Sequence, residues 1–131
     1  MGESLDNYPI VLASHGWDIA LAPVINESFG NCKSDLKLKE YSAIGYPIVA
    51  SDVVPYREAF DNGCDVLLAR TFEEWYNYIK ELIDNPERRD KMRKHNKGWI
   101  AGKWIGDNIQ SYADVYHQII KDNANKLKEE Q

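Results

Sequence analysis

Short, continuously apolar runs alternate along this chain with stretches of helical periodicity. Asp18-Ile19-Ala20-Leu21-Ala22-Pro23-Val24 is one such run, closed by proline. Tyr46-Pro47-Ile48-Val49-Ala50-Ser51 is a second, and Asp65-Val66-Leu67-Leu68-Ala69 a third. Runs of this length without polar alternation predict strands buried on both faces. Between the first two, the pattern predicts a helix opened by Ser34 and stopped at Gly45. Leu36, Glu40, Ala43 and Ile44 fall on one face of that helix, which is read as facing the core. Thr71-Phe72-Glu73-Glu74 has the form of a capping box. Phe72, Trp75, Ile79, Leu82 and Ile83 then share a face at helical spacing. Asn85-Pro86 ends that helix, and Pro86 is suited to open the next. A last amphipathic helix carries Ile109, Tyr112, Tyr116, Ile119 and Ile120, with a charged tail after Lys121 predicted to fray.

Strands separated by helices imply parallel pairing and an α/β domain: a Rossmann-like parallel sheet with flanking helices. Residues 1–8 read as a leader, 9–106 as the α/β domain, and 107–131 as a C-terminal helix and tail. Three strands are few for a covered parallel sheet, so the chain is expected to belong to something larger.

Composition narrows the classes. With 131 residues and 44% hydrophobic positions, one folded domain is expected and disorder is not. A net charge of -5 argues against a nucleic-acid partner. Cys32 and Cys64 form neither a metal-ligand spacing nor a disulfide framework. No apolar run approaches the roughly 20 residues that span a bilayer, and no signal pattern is visible, so a cytoplasmic home is expected.

The candidate chemistry lies between Asn31 and Ser51. Lys33 stands at the expected helix mouth, where unpaired N–H groups favour an anion and a lysine alone is unfavourable. Ser34 can cap the helix or donate to phosphate, and Lys37 follows one turn in. Glu40 lies about 9 Å along the axis from Ser34, a span similar to that from a diphosphate to the far side of its ribose. Two readings stay open for Glu40. It accepts bonds from paired ribose hydroxyls, or it forms a salt bridge to Lys37 or Lys39.

Other features carry less. His15 before the first strand has no carboxylate or nucleophile at a telling offset and reads as a loop residue. The basic stretch Arg88 to Lys97, with Trp99 and Trp104 beyond it, suggests an anionic membrane surface. Its apolar positions are too sparse for a membrane stripe, so a solvated helix face with packed tryptophans is favoured.

Lys33-Ser34-x-Leu36-Lys37-x-x-Glu40-Tyr41-x-Ala43-x-Gly45-x-Pro47-x-Val49-Ala50-Ser51 resembles the donor-binding motif of the group 1 glycosyltransferases of GT-B fold. The preceding Asp-Ile-x-Leu-Ala-Pro run and the following Ser51 to Glu58 loop agree with it, as does the turn at Asp61-Asn62-Gly63. The resemblance covers about residues 18 to 85 and extends to the distal half of a donor domain. It implies binding of a nucleoside-diphosphate sugar, without metal or other cofactor, for transfer to an acceptor hydroxyl in polysaccharide or glycoconjugate synthesis. Lys33 then takes the catalytic role at the leaving diphosphate, with Ser34, Lys37 and Glu40 binding substrate. The family's first glutamate falls by spacing on Cys32, which cannot replace it. Glu27 in Glu27-Ser28-Phe29-Gly30 resembles that glutamate's local text. Either a longer loop brings Glu27 to the site, or the role is absent. The resemblance also implies a separate N-terminal acceptor domain as partner, so that the isolated chain is expected to be inactive. The rival reading is a non-catalytic association or nucleotide-sensing module on the same fold.

Overall fold

A computed structural model describes residues 7–25, 27–103 and 105–129. The elements in chain order are α1 (Tyr8–Ser14), β1 (Ala20–Ala22), α2 (Ser28–Asn31), α3 (Leu36–Ile44) and β2 (Ile48–Ser51). They continue with α4 (Val54–Asp61), β3 (Leu67–Ala69), α5 (Phe72–Asp84), α6 (Pro86–Ala101) and α7 (Ile105–Glu129). The chain divides into two compact units, the first ending at Ala101 and the second beginning at Gly102.

The three apolar runs form one parallel sheet in the order β1-β2-β3. Leu21 stands opposite Val49, and Val49 opposite Leu67. All four residues of β2 are buried, as expected of a central parallel strand. Alternate β2 side chains feed two cores. Ile48 and Ala50 join Leu12, Leu38, Tyr41 and Tyr56 on one side. Val49 joins Leu82 and Met92 on the other, with Trp75 and Ile79 packed against them.

Local signals set several helix ends. Gly45 closes α3 with φ of 93°, a left-handed conformation costly for any residue with a Cβ. Thr71 and Glu74 make the reciprocal capping box at the start of α5. On α5, Leu82 is fully buried and Trp75 and Ile79 are half-buried, but Phe72 and Ile83 are exposed, contrary to the single apolar face expected.

The arginines of the basic stretch on α6 are engaged within the fold. Arg88 forms a two-pronged bond to Asp65 at 2.6 and 2.7 Å, and Arg93 Nε donates to the Gly45 carbonyl at 3.0 Å. Trp99 packs against the first core and donates to the Asn62 carbonyl at 2.8 Å; Trp104 lies outside the described residues. In the second unit α7 continues to Glu129, past Lys121 where fraying was expected. Ile109, Tyr116, Ile119 and Ile120 are exposed on it, and the Tyr112 side chain lies outside the described residues. Among the described residues no helix is long and apolar enough to cross a membrane.

Candidate functional site

Open α/β sheets bind ligands beyond the carboxyl ends of their strands. At that end of β1 lies a cleft of about 520 Å³, lined among others by Val24, Lys33, Ser34, Lys37, Tyr41 and Tyr56. The loop after β1 is tied to the neighbouring strand, because the Val24 amide donates to Ser51 Oγ at 2.8 Å. Tyr41 and Tyr56 are almost wholly buried and present their rings as apolar wall. Burial raises both phenol pKa values; the Glu40 charge adds to this at Tyr41, and Tyr41 and Asp35 add to it at Tyr56. Both therefore remain neutral and able to donate a hydrogen bond well above neutral pH.

A smaller cleft of about 240 Å³ adjoins the first and shares Val24 and Lys33 with it. Its other walls include Glu27 and Phe29. Lys33 Nζ rests 5.0 Å from the centre of the Phe29 ring, a cation–π contact on the wall common to both clefts. The fold thus brings Lys33, Ser34 and Lys37 to one cleft and Glu27 to its neighbour, with Lys33 bordering both.

Two expectations about α3 are corrected. The helix opens at Asp35, not Ser34, and the Asp35 side chain makes no capping bond. Asp35 instead pairs with Lys39 at 2.7 Å. That carboxylate already supplies negative charge at the helix mouth, so attraction for an anion falls to the lysine side chains rather than the dipole. The fully buried face is Leu38, Tyr41 and Ser42; of the expected stripe, Ile44 packs against the first core, Glu40 and Ala43 are half-buried, and Leu36 points to solvent. Leu36 is 56% exposed, whereas Leu38 is wholly buried in the first core. Both sets have helical spacing; Ser42 sits on the chosen face because it meets Cys64 in the interior, 4.0 Å from Oγ to Sγ.

Glu40 is half-buried and lies outside the named cleft walls. Its hydrogen-bond partner is the Tyr8 hydroxyl, at a long 3.4 Å. The alternative salt bridge does not form: Lys39 is paired with Asp35, and Lys37 Nζ lies over the Tyr41 ring at 5.8 Å. Burial and the Glu40 charge raise the Tyr8 pKa, with Lys37 opposing. The contribution of Tyr8 carried no sequence signal, being 32 residues from Glu40. Tyr41 was legible as a neighbour of Glu40 in the motif; Tyr56 was legible only as part of the loop after β2.

Along the same rim of the sheet, Asp52 is buried and bonded through separate carboxylate oxygens to Arg57 and Arg70. Burial alone would raise its pKa, but the hydrogen bonds and charges of the two guanidinium groups outweigh it and hold Asp52 below the usual carboxylate range. This clamp joins the end of β2 to the start of α4 and the end of β3. His15, the lone histidine before β1, stacks flat on Trp17 with ring centres 4.8 Å apart.

No curated protein and no solved structure matches the chain. A family model described as glycosyl transferase-like matches residues 3–101, which takes in the whole sheet and both clefts. A parallel sheet carrying a lysine-lined cleft at its carboxyl edge lies within a match of that extent, and the chain belongs to the glycosyl transferase-like family.

Proposed function

We propose that this domain binds a nucleoside-diphosphate sugar in the paired clefts and presents it for transfer to an acceptor hydroxyl. The observation that supports this reading most is the convergence of Lys33, Ser34 and Lys37 on one cleft beyond β1. Lys33 and Lys37 contact the diphosphate as point charges, and Ser34 donates a hydrogen bond to it. Glu40 lies outside the cleft walls, so in this reading the ribose extends over the cleft rim, where Glu40 exchanges its long bond to Tyr8 for the ribose hydroxyls and orients the donor without taking part in chemistry. In this reading the donor sugar extends into the adjoining cleft, of which Glu27 is a wall.

In the transfer, the bond between the anomeric carbon and the diphosphate oxygen breaks with its electron pair leaving on phosphate. The acceptor oxygen forms the new glycosidic bond, and its proton passes to the departing diphosphate. Negative charge therefore develops on the leaving diphosphate, and Lys33 stabilises it most in the transition state. No metal enters this reading. An acceptor-binding domain supplies the opposite wall of the reaction cleft, so the 131-residue chain by itself binds donor and transfers no sugar. A role in polysaccharide or glycoconjugate synthesis follows from the resemblance of the motif.

Calorimetric titration with UDP, GDP and ADP tests the reading. At least one should bind, and Lys33→Ala should weaken it by about tenfold or more, the scale of one charge-assisted bond. Equal affinities for wild type and Lys33→Ala would remove the assignment. Absence of binding by all three would favour the association-module reading.

A further inference from the structure

The two cleft lysines are not held by carboxylates. Lys39 is paired with Asp35 and Lys80 with Asp84. Among the described residues Lys33 and Lys37 form no salt bridge; each rests its ammonium over an aromatic ring, Phe29 for Lys33 and Tyr41 for Lys37. A ring face attracts a cation through its quadrupole and leaves the charge unneutralised. The ammonium N–H groups of Lys33 therefore stay available to an anion.

Tyr41 belongs to the first core, so its ring also serves packing. Phe29 belongs to neither core and is 77% exposed, so packing does not account for its ring. Its backbone is nonetheless fixed. The next residue, Gly30, is buried, and a Cβ there would stand 2.0 Å from the Ile25 carbonyl oxygen, so the loop folds back on itself more closely than another residue permits. The Asn31 amide donates to the Glu27 carbonyl at 3.0 Å, and the Lys33 amide to the Gly30 carbonyl at 3.3 Å. Asn31 Oδ1 accepts from the Val54 amide at 3.1 Å, which ties the turn to the start of α4. A braced turn thus presents Phe29 on the wall of the smaller cleft, its ring centre 5.0 Å from Lys33 Nζ.

We propose that Phe29 is a positioning residue for Lys33, holding its ammonium at the wall shared by the two clefts, where it meets the diphosphate. This rests on the nucleotide-sugar reading above. A lysine side chain has many rotamers, and freezing one on binding costs affinity. The ring restricts them beforehand and leaves the charge intact, which a carboxylate in its place would not do.

Calorimetric titration of the 131-residue chain with whichever of UDP, GDP and ADP binds tightest tests the proposal. Phe29→Leu should weaken binding by about two- to fivefold, the scale of an exposed cation–π contact. Phe29→Tyr keeps the ring and should bind as wild type does. In a Lys33→Ala background, Phe29→Leu should cause no further loss. A Phe29→Leu affinity equal to wild type overturns the proposal, as does a Phe29→Tyr affinity as weak as that of Phe29→Leu. A loss that persists without Lys33 overturns it too, and assigns the ring to direct contact with the ligand. Nuclear magnetic resonance without nucleotide separates this result from the fate of the donor-site reading. The Lys33 ε-methylene protons should be shifted upfield by the Phe29 ring current and return to the ordinary lysine position in Phe29→Leu. Unshifted protons in wild type overturn the contact itself. Shifted protons with no binding of any of the three nucleotides overturn the donor-site reading, and the positioning role with it.

Discussion

The Val24 amide donates to Ser51 Oγ at 2.8 Å, and Val24 is a wall of both clefts. One side chain at the end of the central strand therefore fixes the loop that separates the two compartments. Among the described residues, the opposite edge of β1 has no neighbouring strand.

Ser51→Ala removes the acceptor and leaves the half-buried Val24 amide without this partner. The expected loss is about 1 kcal/mol of stability, the usual value of such a bond. Urea denaturation measures it. Nucleoside-diphosphate affinity should fall as well, because the loop carrying Val24 is no longer fixed. A variant with unchanged midpoint and unchanged affinity would show the bond to be incidental.

Glu40→Gln distinguishes a ribose-binding carboxylate from a structural one. The Tyr8 bond is long, so its loss should leave the melting temperature almost unchanged. Nucleotide binding should weaken by about 1.5–3 kcal/mol, the range for hydrogen bonds to a charged group. Tyr8→Phe should not lower affinity, since it frees the carboxylate. Reduced stability with unaltered binding in Glu40→Gln would make Glu40 structural.

Asp52 contributes a dependence of stability on acid. Its folded pKa is lowered, because the bonds from Arg57 and Arg70 outweigh burial. The stabilisation is therefore fully present above the ordinary aspartate range near ~3.9, and it is lost as pH falls through the lower folded value. Denaturation midpoints measured from pH 6 downward should drop more steeply for wild type than for Asp52→Asn. Parallel slopes would contradict the clamp.

Gly45→Ala should destabilise the domain by roughly 1–2 kcal/mol through the left-handed backbone alone. A Cβ there would also stand 3.0 Å from Arg93 Cγ and 2.5 Å from Lys97 Cε, pushing on the contact between α3 and α6. Thermal unfolding of the variant, compared with Gly102→Ala where nothing lies within 4 Å, checks this. Equal effects at the two positions would show that the turn is not the cause.

The sequence by itself determined those features whose cause is local. Three apolar runs became the three strands, Gly45 stopped α3, Thr71 and Glu74 capped α5, and Pro86 opened α6. Each depends on residues within one or two turns, whose spacing is the physical cause. Only the tertiary structure decided which of two equally periodic faces α3 buries, because that depends on partners such as Cys64 that spacing cannot reveal. It likewise gave Glu40 to Tyr8 and took the α6 arginines Arg88 and Arg93 into bonds with Asp65 and Gly45. Glu27 and Lys33, six residues apart, line one cleft, which spacing alone did not indicate. Most of these outcomes join segments distant along the chain, and they were settled by packing rather than by pattern.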